Sequence, residues 1–284
     1  MKGLINIDKP KGYTSQDVVS VVRRILKTRE VGHMGTLDPQ GQGVLLVGIG
    51  KGARLFDLML KKDKVYDAEF DFGYETDTLD GDGVEIDRTN VVPTKEMLVE
   101  KCKELIGECN QIPPKYSAKN INGRRAYDLA REGKDFTLKA CKITIYDIKL
   151  VEQTGENKYM FRIHCSGGTY IRSICRDIAY ALNSLATMTS IRRVICGYFK
   201  VEDSITLTKL EELKEEAIIP LEKVLQPLER VDIPDSFYKK LCDGIRPIAD
   251  KEYSEPFSVY CKNELFGIGE VIDGKIRIKT FLKD

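Results

Sequence analysis

No apolar run in this chain of 284 residues is long enough to cross a bilayer. Met1-Lys2-Gly3 opens no signal-like apolar segment either, so the expectation is a cytoplasmic protein with no membrane partner. A Cys-x-x-Cys pair is also lacking. The eight cysteines (102, 109, 141, 165, 175, 196, 242, 261) fall at irregular separations, and no histidine stands at zinc-finger spacing. This predicts no structural metal and no disulfide, and the thiols read as small buried hydrophobes in a reducing compartment. Nor is one charge in excess: 45 basic residues against 44 acidic leave a net charge of +1. Composition therefore gives no global argument for nucleic acid. Only a local basic face can bind phosphates, since screening confines exposed charges to about 10 Å.

What is present suits a soluble globular protein with one core and a small second domain, with apolar residues at 42% and charged residues at 31%. Thr14-Ser15, with Asp17 just beyond, predicts a helix start, and Val18, Val22, Ile25 and Leu26 then recur on one face. From Tyr66 the alternation of Tyr66, Ala68, Phe70 and Phe72 with acidic residues predicts a half-buried strand that Gly73 ends. The stretch 76–83 is a polar turn region. Its Asp77, Asp80 and Asp82 lack the twelve-residue pattern of a calcium loop. A helix from Thr94 leads to Pro113-Pro114, and then Lys119, Arg124, Arg125 and Arg131 interleave with Tyr116 and Tyr127, a mixture that suits either an exposed loop or an RNA-tracking surface.

Strands over 142–151 and 158–165 deliver the chain to a helix with a stripe of Ile171, Ile174, Cys175, Ile178, Ala179 and Leu182. Arg172 lies in its first turn, off that stripe, where a cation opposes the helix dipole and calls for an anionic partner. Thr208 begins a predicted capping box, 227–234 reads as a linker, and short alternating runs with Asp273-Gly274 as a hairpin turn predict a small β-rich domain from about Asp232.

The stretch Gly32-His33-Met34-Gly35-Thr36-Leu37-Asp38-Pro39 predicts a tight, exposed loop that can present a carboxylate, although an Asp before Pro after a Gly-rich turn is more often a turn former or helix cap than a nucleophile. Four blocks occur in order: 32–39, Asp63-Lys64-x-Tyr66 with Gly73-x-x-Thr76-Asp77-Thr78, Pro113-Pro114-x-Tyr116-Ser117-Ala118, and Gly168-Thr169-Tyr170-Ile171-Arg172. Together they resemble the TruB family, the bacterial tRNA pseudouridine-55 synthases. The resemblance implies an α+β pseudouridine synthase fold with a mixed, largely antiparallel sheet over residues 1–230. It further implies an RNA-binding, thumb-like insertion at about 110–136 and a small β-rich, PUA-like RNA-binding domain over 231–284.

The implied activity is isomerisation of uridine 55 in the T loop of tRNA by a monomer that needs no cofactor and no obligatory protein partner. Asp38 takes the place of the catalytic aspartate, Tyr66 that of the tyrosine stacking on the target base, and Arg172 that of the arginine paired with the aspartate. His33 and Tyr170 match positions that line the flipped nucleotide, and Ile191 matches one that touches the uracil. On residue chemistry alone Tyr66 is a sheet aromatic, Tyr170 a helix-start anchor and His33 a loop-shaping hydrogen bonder. The family's usual Ser-Ala-x-Lys is here Ser117-Ala118-Lys119-Asn120, and Gly41-Gln42-Gly43 and Ile191 also depart from its pattern. The rival readings are a guide-RNA-dependent catalytic subunit, an RNA chaperone and an Asp-dependent glycosidase. The last needs a second carboxylate within about 10 Å.

Overall fold

The computed structural model describes residues 1–254 and 256–284. β1 (Gly3–Lys9) leads into α1 (Ser15–Leu26), whose start is built by Thr14 and Asp17. The Thr14 hydroxyl accepts from Asp17 N at 3.0 Å, and the Asp17 carboxylate accepts from Thr14 N at 2.8 Å. β2 (Val31–His33) and β3 (Gln42–Ile49) follow. β3 is buried on both faces, with Leu45, Val47 and Ile49 in the cluster under α1 and Val44 and Leu46 on the opposite side, so it reads as one apolar run. After α2 (Phe56–Lys61), β4 (Lys64–Phe72) buries Tyr66, Ala68, Phe70 and Phe72 and leaves the intervening acids half-exposed, as its alternation predicts.

A hairpin of β5 (Tyr74–Thr76) and β6 (Glu85–Arg88) precedes α3 (Lys95–Glu104) and β7 (Gly107–Gln111). The basic stretch folds as a second small hairpin, β8 (Asn120–Ile121) and β9 (Arg124–Arg125), followed by α4 (Ala126–Arg131). Two longer strands, β10 (Cys141–Gln153) and β11 (Lys158–Cys165), then lead to α5 (Ile171–Ala181) and β12 (Ala186–Cys196). β13 (Phe199–Lys200), α6 (Leu207–Leu213) and α7 (Leu221–Val224) close this part of the chain.

The main sheet runs β1-β3-β12-β4-β11-β10-β7, with β2 paired to β3 and β13 to β12. Among the described residues only β3 with β12 is parallel in this sheet, so it is mixed and largely antiparallel, as the family resemblance implied. α3 and α5 contribute Leu98, Cys102, Ile174 and Ile178 to the cluster that contains Tyr66, Phe70 and Phe161. A second sheet, β14 (Arg230–Ile233), β15 (Phe257–Cys261), β16 (Glu264–Ile272) and β17 (Lys275–Phe281), carries the short α8 (Tyr238–Cys242). Asp273 and Gly274 take φ 52° and 68° in its two-residue turn. Tyr260, Leu265 and Ile268 of this sheet share an apolar cluster with Leu4, Met34 and Leu46, which seats it on the larger unit.

Four sequence expectations are corrected. The stretch 227–234 is no linker, because Val231 and Ile233 alternate into the core and place β14 parallel to β15. The cap of α6 is Thr206 rather than Thr208: its hydroxyl accepts from Lys209 N at 3.1 Å, and Lys209 at the third position completes no capping box. The 32–39 segment is not an exposed loop, since it begins within β2 and Met34 and Leu37 anchor it in the core at 1% and 4% exposure. Cys242 is exposed, unlike the other thiols.

Candidate active site

The start of α1 positions the loop that carries Asp38. Ser15, buried in the helix's first turn, accepts from Leu37 N at 2.9 Å and donates to Leu37 O at 3.2 Å, so one hydroxyl clamps both polar groups of the residue before Asp38. Lys9, fully buried at the end of β1, donates to Pro39 O and Pro10 O at 3.0 Å each and also to Tyr13 O. Gly41 N closes a turn on Asp38 O at 2.9 Å. The carboxylate thus stands on a loop held from both ends.

Arg172 is where the sequence blocks meet. Its guanidinium donates to Asp38 Oδ1 at 3.1 Å, Thr78 O at 2.9 Å and Tyr116 O at 3.0 Å, and pairs with Asp80 Oδ2 at 3.2 Å. The anionic partner that the helix-start argument required is therefore double. The Arg172 side chain is 8% exposed, against 34% for Asp38. Burial dominates the Asp38 carboxyl and raises its pKa; Arg172 opposes the rise, Asp80 adds to it and Lys9 opposes it. The result is a carboxylate whose charge depends on its neighbours.

Tyr66 and Ile191, each 8% exposed, lie in one cluster with Leu37. Burial pushes the Tyr66 phenol up to about 12, with Arg193 opposing. His33 is half-buried, its Nδ1 has no hydrogen-bond partner among the described residues, and burial and then the Arg193 charge lower its pKa. Tyr170 caps the start of α5, and Gln111 holds its backbone on both sides, Oε1 accepting from Tyr170 N at 2.9 Å and Nε2 donating to Tyr170 O at 3.1 Å. Burial raises the Tyr170 phenol, opposed by nearby Lys119 and Ser117.

Of the six residues singled out from the sequence, Asp38 and Arg172 are in direct contact, and Tyr66 and Ile191 share a cluster with Leu37. Neither His33 nor Tyr170 hydrogen-bonds to Asp38 among the described residues. Sequence reasoning missed Asp80, Lys9, Ser15 and Arg193. A signal for Arg193 was present: it has the parity of Ile191, which faces the core. No group of three or more His, Cys, Asp or Glu placed to hold a metal occurs among the described residues.

Residues 23–171 match the N-terminal domain of the TruB family of pseudouridylate synthases, and residues 172–231 match the C-terminal domain of tRNA pseudouridylate synthase B. A protein of Clostridium kluyveri named tRNA pseudouridine synthase B is 41% identical over 295 residues, covering 99% of this chain and 100% of its own. One of the same name from Clostridium perfringens is 40% identical, covering 99% of each. The fold also resembles a solved H/ACA RNP bound to a substrate RNA containing 2'-deoxyuridine, with a TM-score of 0.72 and 26% identity over 99% of this chain and 84% of that one. With a family model matched over more than half of its length and relatives about 40% identical over their whole length, the chain belongs to the TruB family of pseudouridylate synthases, which are isomerases.

Proposed function

We propose that this enzyme isomerises uridine 55 in the T loop of tRNA to pseudouridine, with Asp38 as the catalytic carboxylate. The observation that carries the reading is Arg172 bridging Asp38 at 3.1 Å and Asp80 at 3.2 Å within a largely buried site. The full-length relatives named for tRNA support the substrate. The reaction breaks the bond from N1 to the ribose C1′, turns the uracil and joins C5 to C1′. No group is lost and no electrons are exchanged, so the chemistry asks for a carboxylate beside the sugar or ring and a pocket that retains the free base. Attack at C1′, attack at C6 and passage through a glycal all use the same carboxylate.

Taking the base out of its stack costs a few kcal/mol, and stacking on Tyr66 returns roughly 1–3 kcal/mol. With its pKa near 12 the Tyr66 phenol is neutral at physiological pH, so it serves as a hydrogen-bond donor before it can serve as the base for the C5 proton. His33, Tyr170 and Ile191 hold the flipped nucleotide. Residues 1–230 form the catalytic domain, 110–136 an RNA-binding insertion that closes on the T arm, and 231–284 a PUA-like RNA-binding domain. The enzyme acts as a cytoplasmic monomer without a cofactor or an obligatory protein partner, and opening the T loop gives it a second role in tRNA folding.

Likeness to the H/ACA RNP favours a guide-dependent catalytic subunit, but its 26% identity weighs less than the 41% shared with the tRNA-named relative. The test is tritium release from an unguided, unmodified tRNA transcript labelled at uridine C5, with wild type and Asp38→Ala in EDTA. Release by wild type alone is expected. No release by either, with tRNA still bound, sinks the proposal in favour of a guided enzyme or a chaperone.

A further inference from the structure

Gln111, at the end of β7, is 3% exposed, so its side-chain amide has to find protein partners in place of water. Among the described residues both of its side-chain hydrogen bonds go to one residue of another element. Oε1 accepts from Tyr170 N at 2.9 Å, and Nε2 donates to Tyr170 O at 3.1 Å. A side-chain amide carries the donor and acceptor of a peptide group, and Tyr170 is extended at φ −99° and ψ 111°, so Gln111 stands where a neighbouring strand would. The pairing also fixes which way round the amide lies, because Tyr170 N only donates and Tyr170 O only accepts.

Tyr170 stands immediately before α5, and its side chain makes no capping hydrogen bond. Gly168, just upstream, takes φ +85° with open space where a Cβ would stand, so the turn into the helix gains no packing there. Arg172 then enters the first turn against the helix dipole. Such a start needs support from outside the helix. Ser173 Oγ donates to Ile112 O at 2.9 Å and Arg176 donates to the same oxygen at 3.0 Å, but both act behind Arg172; the Gln111 pair grips the chain ahead of it. We infer that Gln111 is a positioning residue for the isomerisation: by holding Tyr170 on both sides it fixes where α5 begins, and so where the Arg172 guanidinium meets Asp38 at 3.1 Å and Tyr116 O at 3.0 Å. This rests on the reading of Asp38 as the catalytic carboxylate. Gln111 makes no side-chain hydrogen bond to Asp38 or Arg172 among the described residues, so it acts through the Tyr170 backbone. Tyr116 follows Gln111 on the chain after Pro113-Pro114, so one stitch sets both the helix that carries the arginine and the root of the segment that supplies one of its acceptors.

The test is a double-mutant cycle on Gln111→Met and Arg172→Lys, read as the single-turnover rate constant for tritium release from the C5-labelled tRNA transcript with enzyme in saturating excess, alongside tRNA Kd. Methionine keeps the length of the side chain and removes both bonds, while lysine keeps the charge and loses the fork that spans Asp38 and Tyr116 O. Gln111→Met is expected to slow turnover at least about 10-fold with Kd within about threefold, and in the Arg172→Lys background to change the rate less than about threefold. Equal losses in both backgrounds overturn the inference, because Gln111 would then act through the fold as a whole. An unchanged rate for Gln111→Met also overturns it, as does a loss carried by Kd instead of the rate. Full activity of Asp38→Ala overturns the reading of Asp38 and the inference with it, which separates the two failures. Should Gln111→Met not fold, Gln111→Asn, which keeps the amide and shortens its reach by one methylene, enters the same cycle with the same expected contrast.

Discussion

Replacing Ser15 with alanine removes one hydroxyl and no charge, and the structure allows the cost to be worked out. Ser15 and Leu37 are 2% and 4% exposed, so water does not replace what is lost. Leu37 N loses its 2.9 Å acceptor and Leu37 O its 3.2 Å donor. An unmet buried N–H costs about 1–3 kcal/mol, and the longer carbonyl contact adds less, so a net loss of about 2 kcal/mol is expected. Urea unfolding at unchanged slope measures it. The kinetic effect is larger than the stability effect implies, because Leu37 precedes Asp38 and a displacement of about 1 Å at a reacting group lowers the rate about 100-fold. Single-turnover tritium release is therefore expected to fall by that order while tRNA Kd stays the same. A stability change below about 0.5 kcal/mol with a wild-type rate would refute the claim that this hydroxyl holds the loop.

Three further outcomes follow from the same geometry. Asp80→Asn removes a like charge that raises the Asp38 carboxyl, so the acid limb of the pH–rate profile moves to lower pH, while loosening of Arg172 lowers the plateau about 100-fold; a limb that stays put or moves up contradicts the electrostatic reading. Gly43 has φ +96°, and a Cβ there would lie 2.2 Å from Arg193 O on the paired strand, so Gly43→Ala costs more than about 3 kcal/mol in thermal or urea unfolding, and a shift under about 1 kcal/mol would show the strand pair to be compliant. Burial lowers the Lys9 amine to about 8 from 10.5, so between those pH values the unfolded chain holds the extra proton and this group's contribution to stability grows with pH. Buried thiols such as Cys102 and Cys165, pushed up to about 12, pull the other way above pH 9, so the difference between wild type and Lys9→Met is what should rise, by about 2 kcal/mol from pH 8 to 10. A flat or falling difference counts against a buried, charged Lys9.

Where one interaction is local, sequence pattern was enough. The Thr14–Asp17 box, the alternation of β4 and the Asp273-Gly274 turn each depend on residues a few positions apart, and all three stand as read. The pairing of Arg172 with an anion was legible as a physical need, because a cation in a first helical turn is unfavourable alone. Asp80 was not legible as its partner: in a run of Asp and Gly every carboxylate looks like a turn former, and only the tertiary fold selects one. Lys9 and Arg193 were missed for a related reason. Charged side chains on strands are read as solvent-facing, and the backbone oxygens that receive these two, Pro39 O, Val44 O and Gly35 O, leave no mark in side-chain pattern. The linker read at 227–234 failed because its prolines outweighed two apolar residues of a short strand.

Backbone acceptors also explain how this chain departs from its family's pattern without dismantling the site. Two of the four groups around Arg172, Thr78 O and Tyr116 O, are carbonyls, which any residue supplies provided the loop places them. The site therefore constrains loop shape in those blocks more than side-chain identity. Tyr116 N-terminal to the lysine is fixed by its carbonyl on Arg172 and by its hydroxyl, which donates to Asp77 at 3.1 Å, while Lys119 lies beyond both contacts. Moving a lysine by one position there leaves the aspartate–arginine pair as it was. The same logic applies at Gly41, whose N–H bonds Asp38 O at 2.9 Å and whose missing side chain leaves room for Ile191 Cγ2, 3.3 Å from where a Cβ would stand. Glycine at 41 and isoleucine at 191 fit each other, so the two departures read as one packing solution beside the Asp38 carboxylate.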